Sequence, residues 1–412
     1  MIRFSKLSVW FNLFFFSTIS ITVLTFQEIP GYTYVKTGDP DVHLQDYTYV
    51  RLTFLRGHVV GEQYLNKKGD CSATCSDYNH TRYYNHPDNS SLKQTIICNG
   101  HIYRCREIHH FSTFQTMRID NQLYEFVYNK EINEYEFRKS DDHLAHFYWT
   151  KNHRFAMHDT LYDSSHCQMC KCYCDDVYNR LSVRAFCQDL VSSNTELGYV
   201  ITGLRFAMKN RVILIEIQQG KLVRGNIDQN TIHWKTRDKC EYHGYLTYDH
   251  RSIQLDDVFV PPGEVITAVT WDRYDRPTNK LGHKIGRLSL SVRGTLLDDY
   301  GNLMPEHWTA YHKFYVRRSH LKVNRVDIPT SVTTKGQEIG GPNKYYIKFR
   351  PTDWFKDFAQ HVVPFIDLQE VVTYPPKPLS GIGVYYRATE GFGGFLAFKV
   401  MFNKTLNYYF MH

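Results

Sequence analysis

The sequence predicts an all-β fold, in which repeated hairpins form a β-prism-like or β-sandwich body and disulfides staple the N-terminal half. Aromatic residues make up 15 % of the 412 residues, and strands favour them because a flat ring packs well on a pleated surface. A two-strand pattern recurs three times, and all ten cysteines fall between residues 71 and 240. With 42 % hydrophobic and 22 % charged residues, the composition excludes a disordered chain, collagen or a coiled coil.

The repeated pattern is a run of β-branched and aromatic residues, a turn-forming loop and a second, alternating run. The three copies cover residues 198–220, 263–294 and 378–402. In the second copy, Leu288, Leu290 and Val292 alternate with polar residues, which is the period of a half-buried strand. A helix is excluded because the runs are short and bounded by glycine and proline. We therefore expect hairpins that close a common core, as in a three-sheet β-prism or in stacked sandwiches.

The even number of cysteines predicts a disulfide framework of up to five bridges in an oxidising compartment. They are Cys71, Cys75, Cys98, Cys105, Cys167, Cys170, Cys172, Cys174, Cys187 and Cys240. The spacing leaves their pairing open. The first four enclose a polar segment, which we expect to be an exposed loop closed by bridges. Residues 241–412 lack cysteine and need a conventional core.

The second cysteine group, residues 166–176, places thiols beside a histidine and two aspartates. Thiolate and imidazole suit zinc, so a metal site is the alternative interpretation. Only Cys167 and Cys170 have the Cys-x2-Cys spacing, whereas a zinc knuckle needs two such pairs. We therefore expect oxidised cysteines here, with no metal and no cofactor.

Residues 1–26 are predicted to be a secretory signal peptide. Arg3 and Lys6 precede an apolar stretch over residues 9–24 that contains no acid. A membrane anchor is the alternative, but it needs about 20 apolar residues without the polar interruptions seen here. Three glycosylation sequons begin at Asn79, Asn89 and Asn403. Together with the cysteines, these features predict a secreted, extracellular glycoprotein without a transmembrane span.

We expect three regions after the signal peptide. They are a cysteine-containing β-rich region over residues 27–165, a β domain with the second cysteine group over 166–300, and a C-terminal β region over 301–412. Strands are also predicted over residues 47–54 and 122–128, and a short helix over 175–188.

Catalytic signatures are missing from the sequence. Gly-x-Ser-x-Gly, His-Glu-x-x-His and the phosphate-binding loop do not occur. The densest imidazole and carboxylate groups lie over residues 109–110 and 141–146, and no third metal ligand is fixed by their spacing. Asp256–Asp257 and Asp298–Asp299 could suggest a glycosidase, but neighbouring residues on a strand point to opposite faces. We assign no catalytic residue.

Several motifs follow one another in the sequence between residues 160 and 295. They are Cys170, Cys172 and Cys174, then Val200–Phe206 (Val-Ile-Thr-Gly-Leu-Arg-Phe), Asn210–Leu222 beginning Asn-Arg-Val-Ile, Gly225–Asp228 and Trp234. In these motifs the chain resembles a family of secreted insect and other arthropod proteins known only as a domain of unknown function. Residues 70–105 resemble that family's N-terminal part. The resemblance implies an extracellular protein and brings no catalytic residues.

Function is expected to be binding rather than catalysis. Arg317, Arg318, Lys322 and Arg325 could contact a glycosaminoglycan or another anionic surface. The formal charge is only +7 and acids are interspersed, so nucleic acid is not an expected ligand. The expected partners are glycans, extracellular matrix or another secreted protein. The alternatives are a self-associating structural protein of an external coat or secretion, and a secreted hydrolase whose site forms only in the fold.

Overall fold

A computed structural model describes residues 30–84, 98–107, 113–119, 122–129, 134–135, 167–276, 285–312, 318–331, 336–357 and 359–403. The signal peptide and Asn89 lie outside these ranges, as do the predicted groups at 109–110 and 141–146. Within them the chain forms 28 strands and a single short α-helix, α1 (Trp354–Asp357). The all-β prediction is confirmed. None of the helices in the described ranges has the length and hydropathy of a membrane span.

The first strands are β1 (Tyr32–Lys36), β2 (Tyr49–Leu52), β3 (Leu55–Gly61), β4 (His80–Arg82), β5 (His101–Glu107), β6 (Thr113–Ile119), β7 (Gln122–Asn129), β8 (Glu134–Tyr135), β9 (Met169–Asp175), β10 (Ala185–Cys187), β11 (Val191–Ser192), β12 (Tyr199–Lys209), β13 (Val212–Val223) and β14 (Asn226–Lys235). The remainder are β15 (His243–Tyr245), β16 (Ser252–Gln254), β17 (Asp257–Phe259), β18 (Glu264–Arg276), β19 (Ile285–Leu297), β20 (Leu303–His312), β21 (Ser319–His320), β22 (Gln337–Ile339), β23 (Tyr345–Lys348), β24 (Arg350–Pro351), β25 (Val362–Asp367), β26 (Val371–Val372), β27 (Gly381–Ala388) and β28 (Phe395–Asn403).

Each of the three predicted hairpins forms the centre of one large sheet. Sheet I is built on β12–β13, sheet II on β18–β19 and sheet III on β27–β28, and all three pairs are antiparallel. Two further sheets, β3–β9–β5–β4 and β6–β7–β8, lie outside this repeat. We call the four-stranded one the cystine sheet.

Short strands link the three large sheets into a ring. A lead strand pairs in parallel with the second strand of its own hairpin, as β10 does with β13, β16 with β19 and β25 with β28. The next short strand crosses to the first strand of the following hairpin: β11 to β18, β17 to β27, and β26 back to β12. The third repeat therefore returns to the first, which produces the three-sheet arrangement of a β-prism.

The N-terminal strands complete the third repeat. An outer strand follows the hairpin in sheets I and II, where β14 pairs with β13 and β20 pairs with β19. In sheet III the equivalent position on β28 is occupied by β1. Similarly, β2 pairs with β25 as β15 does with β10 and β23 does with β16. Residues 32–52 therefore share a sheet with residues 362–403.

Aromatic rings from all three sheets meet in the core. Phe206 of sheet I stacks on Phe398 of sheet III, with ring centroids 3.9 Å apart. Trp271 of sheet II lies 6.1 Å from Phe206 and 6.2 Å from Phe398. All three side chains are almost completely buried. Because the rings pack against one another, each hairpin supplies part of its neighbours' core.

The structure pairs all ten cysteines in five disulfides, of which four hold the cystine sheet. The pairs are Cys71–Cys167, Cys75–Cys170, Cys98–Cys174, Cys105–Cys172 and Cys187–Cys240. Alternate residues of β9 face the same way, so Cys170, Cys172 and Cys174 all lie on one face of that strand. The sequence suggested that bridges within the first cysteine group close a loop. Instead, each cysteine of the first group forms a disulfide with a cysteine of the second group.

The opposite face of β9 docks the cystine sheet onto the ring. Tyr173 stacks on Trp354 of α1, with centroids 5.7 Å apart. Asp175 and Arg184 form a buried ion pair of 2.8 Å, and the other Asp175 oxygen accepts the backbone N–H of Tyr248 at 2.7 Å. The predicted helix over 175–188 is wrong because the segment turns here, placing Arg184 against Asp175 before β10 begins.

We predict that Arg184→Met lowers the free energy of unfolding by about 3–5 kcal/mol, because it leaves the buried Asp175 carboxylate without its cation. Chemical denaturation of the disulfide-intact protein measures this. The double variant Arg184→Met/Asp175→Asn removes the charge as well and should lose less. A loss below about 1 kcal/mol in the single variant would show that the pair does not hold the junction, by which we mean the contact between the cystine sheet and the ring.

Candidate anion-binding site

The carboxylate pairs noted in the sequence do not face each other across a cleft. Asp256 is buried against Arg318, with the Asp256 Oδ2 and Arg318 Nη2 atoms 2.5 Å apart. Asp257 pairs instead with Lys399, also fully buried, at 2.7 Å. Asp298 caps a tight turn by accepting the backbone N–H groups of Tyr300 and Asn302. Each of these three carboxylates stabilises the fold.

Metal-ligating groups are equally sparse in the part of the chain that the structure describes. The one set of three lying within reach of an ion is Cys187, Asp189 and Cys240. Its two cysteines form a disulfide, so their sulfurs are not thiolates. Asp189 accepts two backbone N–H groups, from Glu241 and Tyr242, and therefore orders this loop.

The residues of the predicted basic segment differ in burial, and only some of them lie on the surface. Arg318 is buried in its ion pair with Asp256, and Arg317 lies outside the described residues. Lys322 and Arg325 are exposed. Of these residues, Lys322 joins a larger basic surface whose other members come from distant parts of the sequence.

This surface begins as a row of side chains across sheet II. Ser252 on β16 lies between Arg287 on β19 and Lys348 on β23 in the strand register. Side chains directly opposite in paired strands point to the same face. Ser252 is buried beneath the two long cationic side chains. The row therefore holds two positive charges on the outer face of the sheet, one on each side of Ser252.

A bulge in the cystine sheet adds Arg104 to the row. The register of β5 on β9 shifts between Tyr103 and Arg106, and Arg104 adopts a φ of +50°. A positive φ is uncommon for a residue with a side chain, and bulges often redirect side chains at functional sites. Burial lowers the pKa of Lys348, and the nearby Arg251, Arg287 and Arg104 lower it further.

Planar groups support these cations. The rings of Tyr103 and Tyr248 stack 4.0 Å apart across the junction, and the Arg251 guanidinium lies 4.0 Å from the Tyr248 ring centre. On the sheet II side, Arg287 lies 3.6 Å from the centre of the Tyr346 ring. Rings contact the guanidinium groups without neutralising them. Arg251 and Arg287 are both half-buried, and an Nη of Arg251 also donates to the Tyr248 carbonyl.

Histidines extend the surface at both ends. His320 stacks on Tyr346 with centroids 5.0 Å apart, close to Lys322. At the other end His80 stacks on His101 at 4.6 Å and on Tyr103 at 5.0 Å. We call the whole set the basic stripe: His80, Arg82, His101, Arg104, Arg251, Arg287, His320, Lys322 and Lys348. Two acids lie near it: Asp249, which is exposed, and Asp175, which is paired with Arg184.

Several cations of the stripe differ from the buried cations of the protein in the charges that surround them. Arg184, Arg318, Arg387 and Lys399 each form an ion pair with an aspartate. In contrast, over the described ranges no carboxylate forms an ion pair with Arg104, Arg251, Lys322 or Lys348. Repulsion between these cations is a cost that a bound anion would relieve. The arrangement is suited to binding an anion.

The predicted glycosylation positions differ in exposure. Asn79 is exposed and directly precedes His80 at the end of the stripe. Asn403 is half-buried in β28, where it pairs with Tyr32. The exposure of Asn79 leaves room for a glycan beside the stripe.

Comparison with known families gives one finding. Residues 30–217 match the family model of a domain of unknown function (DUF4803). We call residues 30–217 the DUF4803 region. The matched region covers slightly less than half of the chain and includes the cystine sheet and sheet I as far as Ile217. No protein with a curated description matches the chain.

The residues of the Thr-Gly-x-Arg-Phe run within the DUF4803 region have structural roles. A Cβ on Gly203 would lie 2.6 Å from Val372, so glycine permits β26 to pair with β12. Arg205 binds Glu216 at 2.7 Å, and Phe206 lies in the aromatic core. This run therefore specifies how sheet I joins the ring and contributes nothing to the basic stripe.

The boundaries of the DUF4803 region cut through the ring. Its strands β1 and β2 pair with β28 and β25, and its strand β12 pairs with β26. All three partner strands lie beyond residue 217. The matched region therefore lacks the surfaces against which its own strands are buried.

We predict that a fragment of residues 30–217 does not form the hairpin of sheet I, because exposed strands without a covering core are unstable. Backbone amide NMR of residues 199–217 measures this, and residues 27–412 provide the folded control. Dispersed, exchange-protected amides in the fragment would show that the DUF4803 region folds independently of the ring.

Proposed function

We propose that this protein is a secreted, non-enzymatic extracellular binding protein whose ligand is an anionic polysaccharide held on the basic stripe. The observation that carries the proposal is that Arg104, Arg251 and Lys348 form no ion pair with a carboxylate among the described residues. A sulfated polysaccharide is a linear chain of fixed negative charges, which matches a stripe that runs from β4 across the junction to β21. Binding would neutralise Arg104, Arg251 and Lys348 without moving the strands.

The length of the stripe favours a polymer over a small inorganic anion, because its cations extend from Arg82 on β4 to Lys322 just after β21. Tyr103, Tyr248 and Tyr346 lie among these cations. Their ring faces contact one another, two histidines and two guanidinium groups, so they hold the cationic side chains in place. The side chains are held by strand pairing on both sides of the junction, and the Cys105–Cys172 disulfide fixes β5. A preformed surface loses little conformational entropy when a ligand binds.

An extracellular location fits the covalent framework. Five disulfides are typical of oxidising compartments, and the predicted signal peptide over residues 1–26 and the exposed sequon at Asn79 support the same destination. So does the resemblance to secreted insect and other arthropod proteins. Matrix polysaccharides are abundant outside cells, where such a protein would meet them.

We predict that the protein binds heparin, used as the probe, with an affinity that falls as salt increases. Replacing Arg104 and Lys348 by glutamine should weaken binding and reduce the slope of log Kd against log salt by about one for each charge removed. Both side chains are exposed, so the variants should fold. Titration calorimetry at several salt concentrations provides the measurement.

The matched control is Lys221→Gln/Lys239→Gln, which removes two exposed lysines outside the stripe and should leave the affinity unchanged. Uncharged dextran should not bind. Equal loss in both double variants would indicate a diffuse charge effect and would contradict a specific site. Stronger binding to single-stranded DNA than to heparin of equal charge would contradict the polysaccharide assignment.

A further inference from the structure

The basic stripe contains three imidazoles whose surroundings differ from those of an ordinary surface histidine. His80 and His101 lie at one end, on β4 and β5 of the cystine sheet. His320 lies at the other end, on β21 of sheet II. Histidine is the side chain whose charge changes between pH 5 and 8. The net charge of the stripe therefore depends on pH at both ends.

At the first end, the groups that face the histidines are mainly cationic. The Arg82 Nε–H donates to the Nε2 atom of His101 at 3.3 Å, which requires that nitrogen to be unprotonated. Burial lowers the pKa of His101, and His80 and Arg82 lower it further, against weaker opposing effects of Asp175 and Asp249. Asp175 is occupied by Arg184.

At the second end, His320 is surrounded by four cations. Burial lowers the pKa of His320, followed by Lys348, Lys322, Arg287 and Arg251 in decreasing order. His320 is therefore neutral in the free protein at pH 7.4.

We propose that the stripe is an acid-strengthened site, which holds its anionic ligand more tightly as pH falls from neutral to about 5 because His101 and His320 become protonated beside the bound anion. This inference rests on the proposed function. An anion would add negative charge beside His101 and His320, where the facing groups are mainly cationic.

The direction in which affinity changes with pH follows from the linkage between proton binding and ligand binding. In the free protein, nearby cations oppose protonation of His101 and His320, so these groups gain charge only below the usual histidine range. A bound polyanion favours the protonated form and raises these pKa values, so binding takes up protons. Affinity therefore rises as pH falls, and it levels off below the pKa values of the free protein. Sulfate groups stay ionised throughout this range, so the charge of the ligand does not change.

The test measures heparin affinity of the full chain at about pH 7.4 and about pH 5.5, at one ionic strength. We expect about a tenfold gain at the lower pH, which corresponds to raising the pKa of one histidine by one unit. The variant His80→Gln/His101→Gln/His320→Gln should gain less than about twofold between its own affinities at the two pH values. His307→Gln, an exposed histidine on β20 outside the stripe, should keep the full gain.

Calorimetry in two buffers of different ionisation enthalpy adds an independent readout, since it should show net proton uptake near pH 6 that the triple variant lacks. An equal gain in the triple variant, or no gain in the unaltered protein, would overturn the inference. Absence of heparin binding at both pH values would instead refute the proposed function, so the two failures are distinguishable.

Discussion

Closure of three hairpin sheets into a ring is the constraint on which the rest of the structure depends. Each sheet includes a short strand that belongs to the preceding repeat, and the N-terminal strands β1 and β2 complete the third sheet. No sheet has its full set of partners until the last one is in place. The aromatic core records the same dependence, because Phe206, Trp271 and Phe398 come from three different hairpins.

The ring also determines where the cystine sheet sits and thereby creates the candidate site. The Asp175–Arg184 pair and the Tyr103–Tyr248 stack hold β5 beside the lead strand of sheet II. Arg104 then lies among Arg251, Arg287 and Lys348. Within the described residues, Arg104, Arg251 and Lys348 form no ion pair with a carboxylate, and their mutual repulsion opposes folding. The buried cations elsewhere in the protein are paired with aspartates. This contrast is the physical argument for a ligand.

The hairpins could be predicted from the sequence because their strands are long, and a long strand shows the two-residue alternation of polar and apolar side chains. The crossing strands could not be predicted. β11 and β26 contain two residues each, and a segment of two residues is too short to show an alternation. Disulfide pairing was open for a similar reason: it depends on which strands lie beside β9. Among the stripe residues only Lys322 was noted in advance. The others lie in separate segments, and their proximity follows from strand register and from the bulge at Arg104.

Hydrogen–deuterium exchange with and without a heparin oligosaccharide tests the central claim most directly, because it locates the ligand without altering the protein. The account predicts slower exchange over residues 101–107, 248–254, 318–322 and 344–348, on both sides of the junction. Slower exchange confined to the loops over residues 194–198, 298–303 and 373–378, or no change anywhere while heparin is bound, would contradict it.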